Sequence, residues 1–281
     1  MGKPRVWELM TVEEIRNVLK KTRTVILPLG VTEQHGYHLP LCTDTYDAYE
    51  TAKLVSARTG AVVAPALPYS FSGGGLPGTI NVSPQVMSLM VQEIITSIIQ
   101  NGFKNIIIML GHGGSENFLA LKDALHIFLR NNQHLTDVVI TFAPVWEFGK
   151  CWQAAFKTGD FHAGHIETSI MMYLGPNMVK SGRMATDVPR LLKLQRENPD
   201  NYQLVETLHP SRHVVPRIRQ HPDIKVGVMG DPQRASAEFG RKIVLEAANG
   251  IAKLIRDIER KKFKKYREVK IKRKKLVIVS D

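Results

Sequence analysis

Two clusters in this chain carry residues that bind cations. One is Glu33-Gln34-His35, with Asp44 nine residues after His35; the other is Gly111-His112-Gly113-Gly114. Imidazole combined with carboxylate suits zinc, manganese or iron better than calcium. A catalytic site of this kind keeps one position open for water, whose pKa falls to about 7 on zinc. In an extended loop residues two apart point the same way, so Glu33 and His35 can converge while Gln34 faces away. Asp44 falls where a helix should begin, and a carboxylate there can bridge two cations. Any one of these side chains alone reads as a loop polar or a helix cap. Four of them beyond two strand ends read as one site.

The elements around them explain the placement. Residues 24–30 and 104–110 are apolar runs of strand length, and each leads directly into one cluster. Open parallel sheets bind ligands in the crevice beyond the carboxyl ends of their strands. Residues 61–67 and 137–144 read as two further strands. Helices are expected over 11–22, with Thr11 as cap and Glu14 answering it, and over 43–58, with Thr43 as cap and Gly60 as stop. Others are expected from Ser83-Pro84 to Gly102, over 116–130, over 167–173, and over 235–262. Strands alternating with helices predict an α/β fold: a three-layer αβα sandwich with a mostly parallel central sheet. Residues 185–230 are rich in Pro, His and Arg and read as an irregular lid or subunit-contact segment. No repeat or linker divides the chain, so residues 1–281 read as one domain with a basic C-terminal extension at 260–281.

Composition narrows the function classes. Hydrophobic residues make up 43% of the chain, enough for a real core. No apolar run approaches the roughly 20 residues of a membrane span, and the start has no signal-peptide character, so a cytoplasmic protein without a membrane partner is expected. Cys42 and Cys151 form no disulfide framework. The net charge is +12, but residues 260–275 hold eleven Lys/Arg against Glu268; with Asp281 counted, residues 1–259 carry only +3. A basic tail can bind nucleic acid. No aromatic platform accompanies it, and the favoured reading is a charged surface helix running into a peripheral strand near residues 276–279.

The motifs together resemble a known family. Leu27-Pro28-Leu29-Gly30-Val31-Thr32-Glu33-Gln34-His35-Gly36, then His38-Leu39-Pro40-Leu41 and Thr43-Asp44, is similar to the signature of the creatininase (creatinine amidohydrolase) family. Gly78-Thr79-Ile80, Gly111-His112-Gly113-Gly114, His162-Ala163-Gly164 with Glu167-Thr168-Ser169, and Gly227-Val228-Met229-Gly230-Asp231-Pro232 follow in order. The resemblance covers roughly residues 20–255. It implies an αβα sandwich with two divalent metal ions (Zn, Mn or Fe), often in a homohexamer, hydrolysing a non-peptide C–N bond of a cyclic amide or formamide. By position it implies that Glu33 and His112 bind one metal, that His35 binds the other, and that Asp44 bridges. Glu167 is the choice for the remaining ligand. Creatinine-hydrolysing members carry a glutamate where this chain has Gly114, and many members carry Glu where it has His165, so creatinine itself is not the expected substrate.

Other residues complete the expectation. His162 and His165, three apart, can share a face and pass a proton to the leaving nitrogen, as can Glu167; either histidine can equally be a packed neighbour. The backbone N–H groups of Gly74 and Gly75 can approach a substrate carbonyl, or the glycines can form a plain turn. Trp146 and Trp152 can wall a flat heterocycle or belong to the core. The sequence reading is thus a metal-dependent amidohydrolase acting on a small-molecule amide through attack of a metal-bound hydroxide. Its alternatives are a deformylase of a pyrimidine intermediate, a peptidase of a modified peptide, and a noncatalytic metal protein whose tail binds nucleic acid.

Overall fold

The computed structural model describes residues 2–198 and 202–260, and the short strands at 271–272 and 275–276. A central sheet carries β1 (Arg5–Val6), β2 (Thr24–Leu29), β3 (Val62–Val63), β4 (Asn105–Leu110) and β5 (Val139–Pro144). Its order is β1-β3-β2-β4-β5 and every pairing is parallel. Parallel strands need crossovers, and helices supply them: α1 (Val12–Val18), α2 (Thr43–Thr59), α3 (Pro84–Gln100) and α4 (Ser115–Asn131). α5 (Lys150–Phe156), α6 (His165–Leu174), α7 (Pro189–Glu197) and the long α8 (Ala237–Arg260) follow.

The central strands are buried on both faces, so their side chains alternate between two cores. Val25, Leu27 and Leu29 of β2 and Ile106, Ile108 and Leu110 of β4 pack with Met87, Val91 and Ile95 of α3 and Leu121 and Leu125 of α4. Ile26, Ile107 and Met109 face the other way, onto Ala48, Ala52 and Val55 of α2, Ile166 and Ile170 of α6, and Ile243, Val244 and Ile251 of α8. This is the expected three-layer αβα arrangement, and it fixes the ends of β2 and β4 side by side.

Several local expectations need correcting. The strand expected over 61–67 is only Val62–Val63, because Pro65 cannot donate to a ladder. The chain rejoins the sheet at Leu67, whose N–H donates to the Pro28 carbonyl. That carbonyl faces the β3 side, so the donor that Pro28 lacks faces the same break, which is how a proline sits in a central strand. Thr43 is the first residue of α2, not its cap; Cys42 holds the cap position, and the Thr43 hydroxyl donates to the Pro40 carbonyl. Gly60 does close α2 in the left-handed conformation, and the Thr11–Glu14 capping box is present.

Residues 185–230 are not irregular. They contain α7, begun by Pro189, and a hairpin of β6 (Gln203–Glu206) against β7 (Arg217–Gln220). The Asp187 carboxylate ties off the segment by accepting the N–H groups of Lys225, Val226 and Gly227 at 2.7, 2.9 and 2.7 Å. Of the C-terminal extension, β8 (Ile271–Lys272) pairs antiparallel with β9 (Lys275–Leu276). The surface helix expected from 260 onward, and most of the strand expected at 276–279, lie outside the described residues. Among the described residues no helix is long and apolar enough to cross a membrane.

Candidate metal centre

Both ligand clusters leave the sheet at the carboxyl ends of neighbouring strands, and α2 is pressed onto those ends. A Cβ at Gly30 would lie 2.5 Å from the Thr45 nitrogen, and one at Gly111 would lie 2.1 Å from the Asp44 carbonyl oxygen. Only glycine lets the first turn of α2 come this close. Asp44, one residue inside that turn, is thereby lowered between the two loops. The 31–36 loop is fixed by Glu33 N–H to the Leu41 carbonyl and by Gln34 N–H to Thr79 Oγ1.

Asp44 divides its two oxygens. Oδ1 lies 3.1 Å from His35 Nε2, and Oδ2 lies 3.0 Å from His112 Nδ1. Glu33 Oε1 joins the second side, 3.0 Å from His112 Nδ1, and Glu167 Oε2 joins the first, 3.6 Å from His35 Nε2. The result is two triads that share Asp44: Glu33, Asp44 and His112, and His35, Asp44 and Glu167, each with ligand atoms within 4.8 Å of one another. His35 Nδ1 sits 3.1 Å from the Glu33 carbonyl, so it donates there and leaves Nε2 toward the cluster. Glu33 Oε1 is buried and out of line for a hydrogen bond. Three carboxylates and two imidazoles, buried together with an orphaned oxygen, fit a pair of divalent cations.

The electrostatics agree with that fit. Burial alone would lower His35, yet Asp44 and then Glu167 carry it up to about 10. His112 also overcomes burial and stands well above its usual value, through Glu33 and Asp44. Asp44 is held far below the carboxylate range: His35 and His112 outweigh its burial. Glu167 goes the other way, to about 8, because burial and the neighbouring Asp44 and Glu33 outweigh His35. Ionising all three carboxylates would exceed the charge that His35 and His112 balance, which is why Glu167 is pushed up, and added cationic charge would relieve it.

Glu167 is placed by a strained turn. Ala163, at φ 51°, is the one non-glycine in the left-handed region among the described residues, and its N–H donates to Glu167 Oε2 at 2.6 Å. Its carbonyl accepts the Thr168 hydroxyl, which in turn accepts from His38 Nε2 at 2.8 Å. His38 is fully buried and stays neutral, pushed down to about 4 by burial and then by His35. Asp160 accepts the N–H groups of His165 and Ile166 at 2.6 and 3.1 Å and so aims α6.

His162 joins the cluster. Its ring lies 4.3 Å from that of His35, and its Nδ1 is 3.7 Å from Glu33 Oε1. Nε2 lies 2.8 Å from the Gln34 carbonyl and 3.0 Å from Gln34 Nε2; in the tautomer that donates to the carbonyl, Nδ1 presents a lone pair to the site. Burial and then the His35 charge push His162 down. His165 does not share this face. His162 precedes the helix that His165 begins, so helical spacing does not relate them, and the His165 ring stacks on Phe239 at 4.4 Å and 8°.

A cavity of about 360 Å³ opens over the cluster, lined by Glu33, His112, His162 and Glu167 and by the aromatic rings of Phe156, Phe161 and Tyr202. Gly74 and Gly75 are not in its wall; their N–H groups are taken by Ser72 Oγ and Gln220 Oε1. Trp146 and Trp152 lie in the core, in T-shaped contact at 6.5 Å, and Phe156 and Phe161 stand at the cavity instead. Gln34 does not turn away: Gly36, at φ 65°, folds the loop back, and the Gln34 side chain lines the cavity while bonding the Gly227 carbonyl.

Comparison with known proteins accords with this geometry. The creatinine amidohydrolase family profile matches residues 8–255. The chain belongs to the creatininase family. A mycofactocin precursor peptide peptidase of Mycolicibacterium smegmatis is 31% identical over 243 residues, covering 83% of this chain and 84% of the relative. A creatinine amidohydrolase of Pseudomonas putida is 28% identical over 269 residues, covering 90% and 96%. A crystal structure of creatinine amidohydrolase superposes with a TM-score of 0.72 at 26% identity, over 91% of this chain and 98% of the other. Solved creatininases include a manganese form and a zinc–zinc form.

This chain is therefore a creatininase-family hydrolase with a buried His/Glu/Asp cluster suited to metal. The 112–114 loop is tight: a Cβ at Gly114 would lie 2.5 Å from His112 Nε2, so no side chain fits there while the ring holds its place. Sequence reasoning missed Tyr202, Gln203, Phe161 and Met229. Phe156 was missed as well; the signals were that Phe161 directly precedes the His162 block, that Met229 lies in the 227–232 block, and that Tyr202 is the single tyrosine of the 185–230 segment.

Proposed function

We propose that this protein hydrolyses the C–N bond of a small, non-peptide amide at a two-metal centre. The observation that carries this is the division of Asp44 between His35 and His112. Glu33 and His112 would hold one ion, His35 and Glu167 the other, and Asp44 both. When bound, zinc or manganese would supply Lewis-acid polarisation of the carbonyl and a water of lowered pKa. The chain's own groups do the rest. Phe156 and Phe161, with ring centroids 6.0 Å apart and planes at 26°, offer a wall for a flat substrate. His162 Nδ1, neutral and facing the cluster, can take a proton and return it to the leaving nitrogen. His165, packed on Phe239, orders the helix start. The family likeness supports a homohexamer.

A second reading is cleavage of a peptide amide, favoured by the likeness to the mycofactocin precursor peptide peptidase. One screen separates the two. Protein loaded with manganese or zinc is tested against creatinine, hydantoin, N-formyl amides and short peptides, before and after chelation. The expected result is turnover of a non-peptide amide, abolished by chelator and restored by metal. Turnover confined to peptides would move the assignment to the second reading, and turnover insensitive to chelation would remove the metal mechanism.

A further inference from the structure

Tyr202 stands directly before β6, on the segment that reads from sequence as a lid or subunit contact, and it lines the cavity with Glu33, His112, His162 and Glu167. Its hydroxyl lies 3.4 Å from Gln34 Nε2 and beside Gly74, where a Cβ would be 3.6 Å away. Gln34 Nε2 has only protons to give, so the phenol oxygen accepts there. Among the described residues the Tyr202 O–H proton has no acceptor. It remains available to the cavity.

The position is built. Gly75 N–H donates to Gln220 Oε1 at 2.6 Å, which pins the hairpin to the 72–75 turn. Asp187 and the Gln34–Gly227 bond pin its exit. Burial, and behind it the Glu33 carboxylate, push the Tyr202 phenol up, so it stays a donor throughout the neutral range. The cavity wall contains no Lys or Arg, and its one carboxylate outside the cluster is Glu116. Such a wall offers an acceptor no cationic side chain and leaves its recognition to an uncharged donor.

We infer that Tyr202 is a specificity-determining residue whose hydroxyl donates to a neutral acceptor of the substrate, an amide oxygen or a ring nitrogen, while Phe156 and Phe161 wall its flat part. This rests on the amide-hydrolase reading above. It assigns the hairpin a direct part in substrate choice.

The test is calorimetric binding of nicotinohydroxamate, whose flat uncharged pyridine ring carries the nitrogen acceptor and whose other end chelates metal, to the full manganese-loaded chain and to Tyr202→Phe. Loss of one neutral hydrogen bond should weaken binding about tenfold, with metal content and melting temperature unchanged. Phenylalanine keeps the ring, so equal affinity in the two proteins would overturn the inference and leave the metal reading intact. An altered metal content or melting temperature in Tyr202→Phe would make the residue structural and also overturn it. A wild-type protein that takes up manganese but binds no nicotinohydroxamate would overturn the two-metal amide site, and this inference with it.

Discussion

Asp44→Asn should abolish hydrolysis while leaving the fold in place. Asparagine keeps the shape of the side chain but removes the charge that faces both histidines, at 3.1 and 3.0 Å. Both proposed ion sites lose a charged ligand at once. Losing an outer partner of a metal ligand typically costs 10–100-fold, so losing the shared ligand itself should cost on the order of a thousandfold or more. Metal content should drop by at least one ion per chain. The same change leaves His35 and His112 buried with one carboxylate fewer, and breaking a buried charge pair costs about 3–5 kcal/mol. Far-ultraviolet circular dichroism should keep the wild-type shape, with a lower melting temperature. Full activity and metal content in this variant would refute the bridging role.

Gly111→Ala should disable the same centre from outside it. The added methyl would lie 2.1 Å from the Asp44 carbonyl oxygen and 3.1 Å from Ala48 Cβ. The first contact is with backbone, so no rotamer relieves it; the first turn of α2 must lift off the end of β4. Overpacking of this kind costs about 1–3 kcal/mol or more, roughly 2–5 °C or more in melting temperature for a chain of this size. Asp44 moves with the turn, so metal should be held more weakly although no ligand has changed. Gly182→Ala is the control, since nothing lies within 4 Å of a Cβ there. An unchanged melting temperature and metal content in Gly111→Ala would show that α2 does not depend on this close approach.

The legibility of the fold followed its physics. Strands buried on both faces read as unbroken apolar runs, so β2 and β4 are visible in sequence, and the edge strand β5, half-buried, is visible as a similar run. Their carboxyl ends are where such a sheet binds ligands, so Glu33, His35, Asp44 and His112 could be gathered from sequence before any contact was known. The structure brings these four together with Glu167. What the sequence hid was of another kind. The β6–β7 hairpin is short and largely polar, and Tyr202 reaches the cavity only through long-range ties such as Gln220 to Gly75. His165 and His162 have helical spacing on paper, but the helix starts between them at the Gly164 cap. The left-handed turn at Ala163, which aims Glu167, rests on His38 and Thr168 and has no local signal, since alanine seldom adopts that conformation. Trp146 and Trp152 have the chemistry of a binding wall, yet packing against both faces of the sheet claims them for the core.

The most direct test is metal content per chain, by plasma mass spectrometry on protein purified anaerobically, beside a Glu33→Ala/His112→Ala double variant. The arrangement of two triads on Asp44 predicts about two zinc, manganese or iron ions in the wild type, with at least one lost in the variant. A wild type that holds no metal after reconstitution, or a double variant that retains both ions, would contradict the two-metal centre.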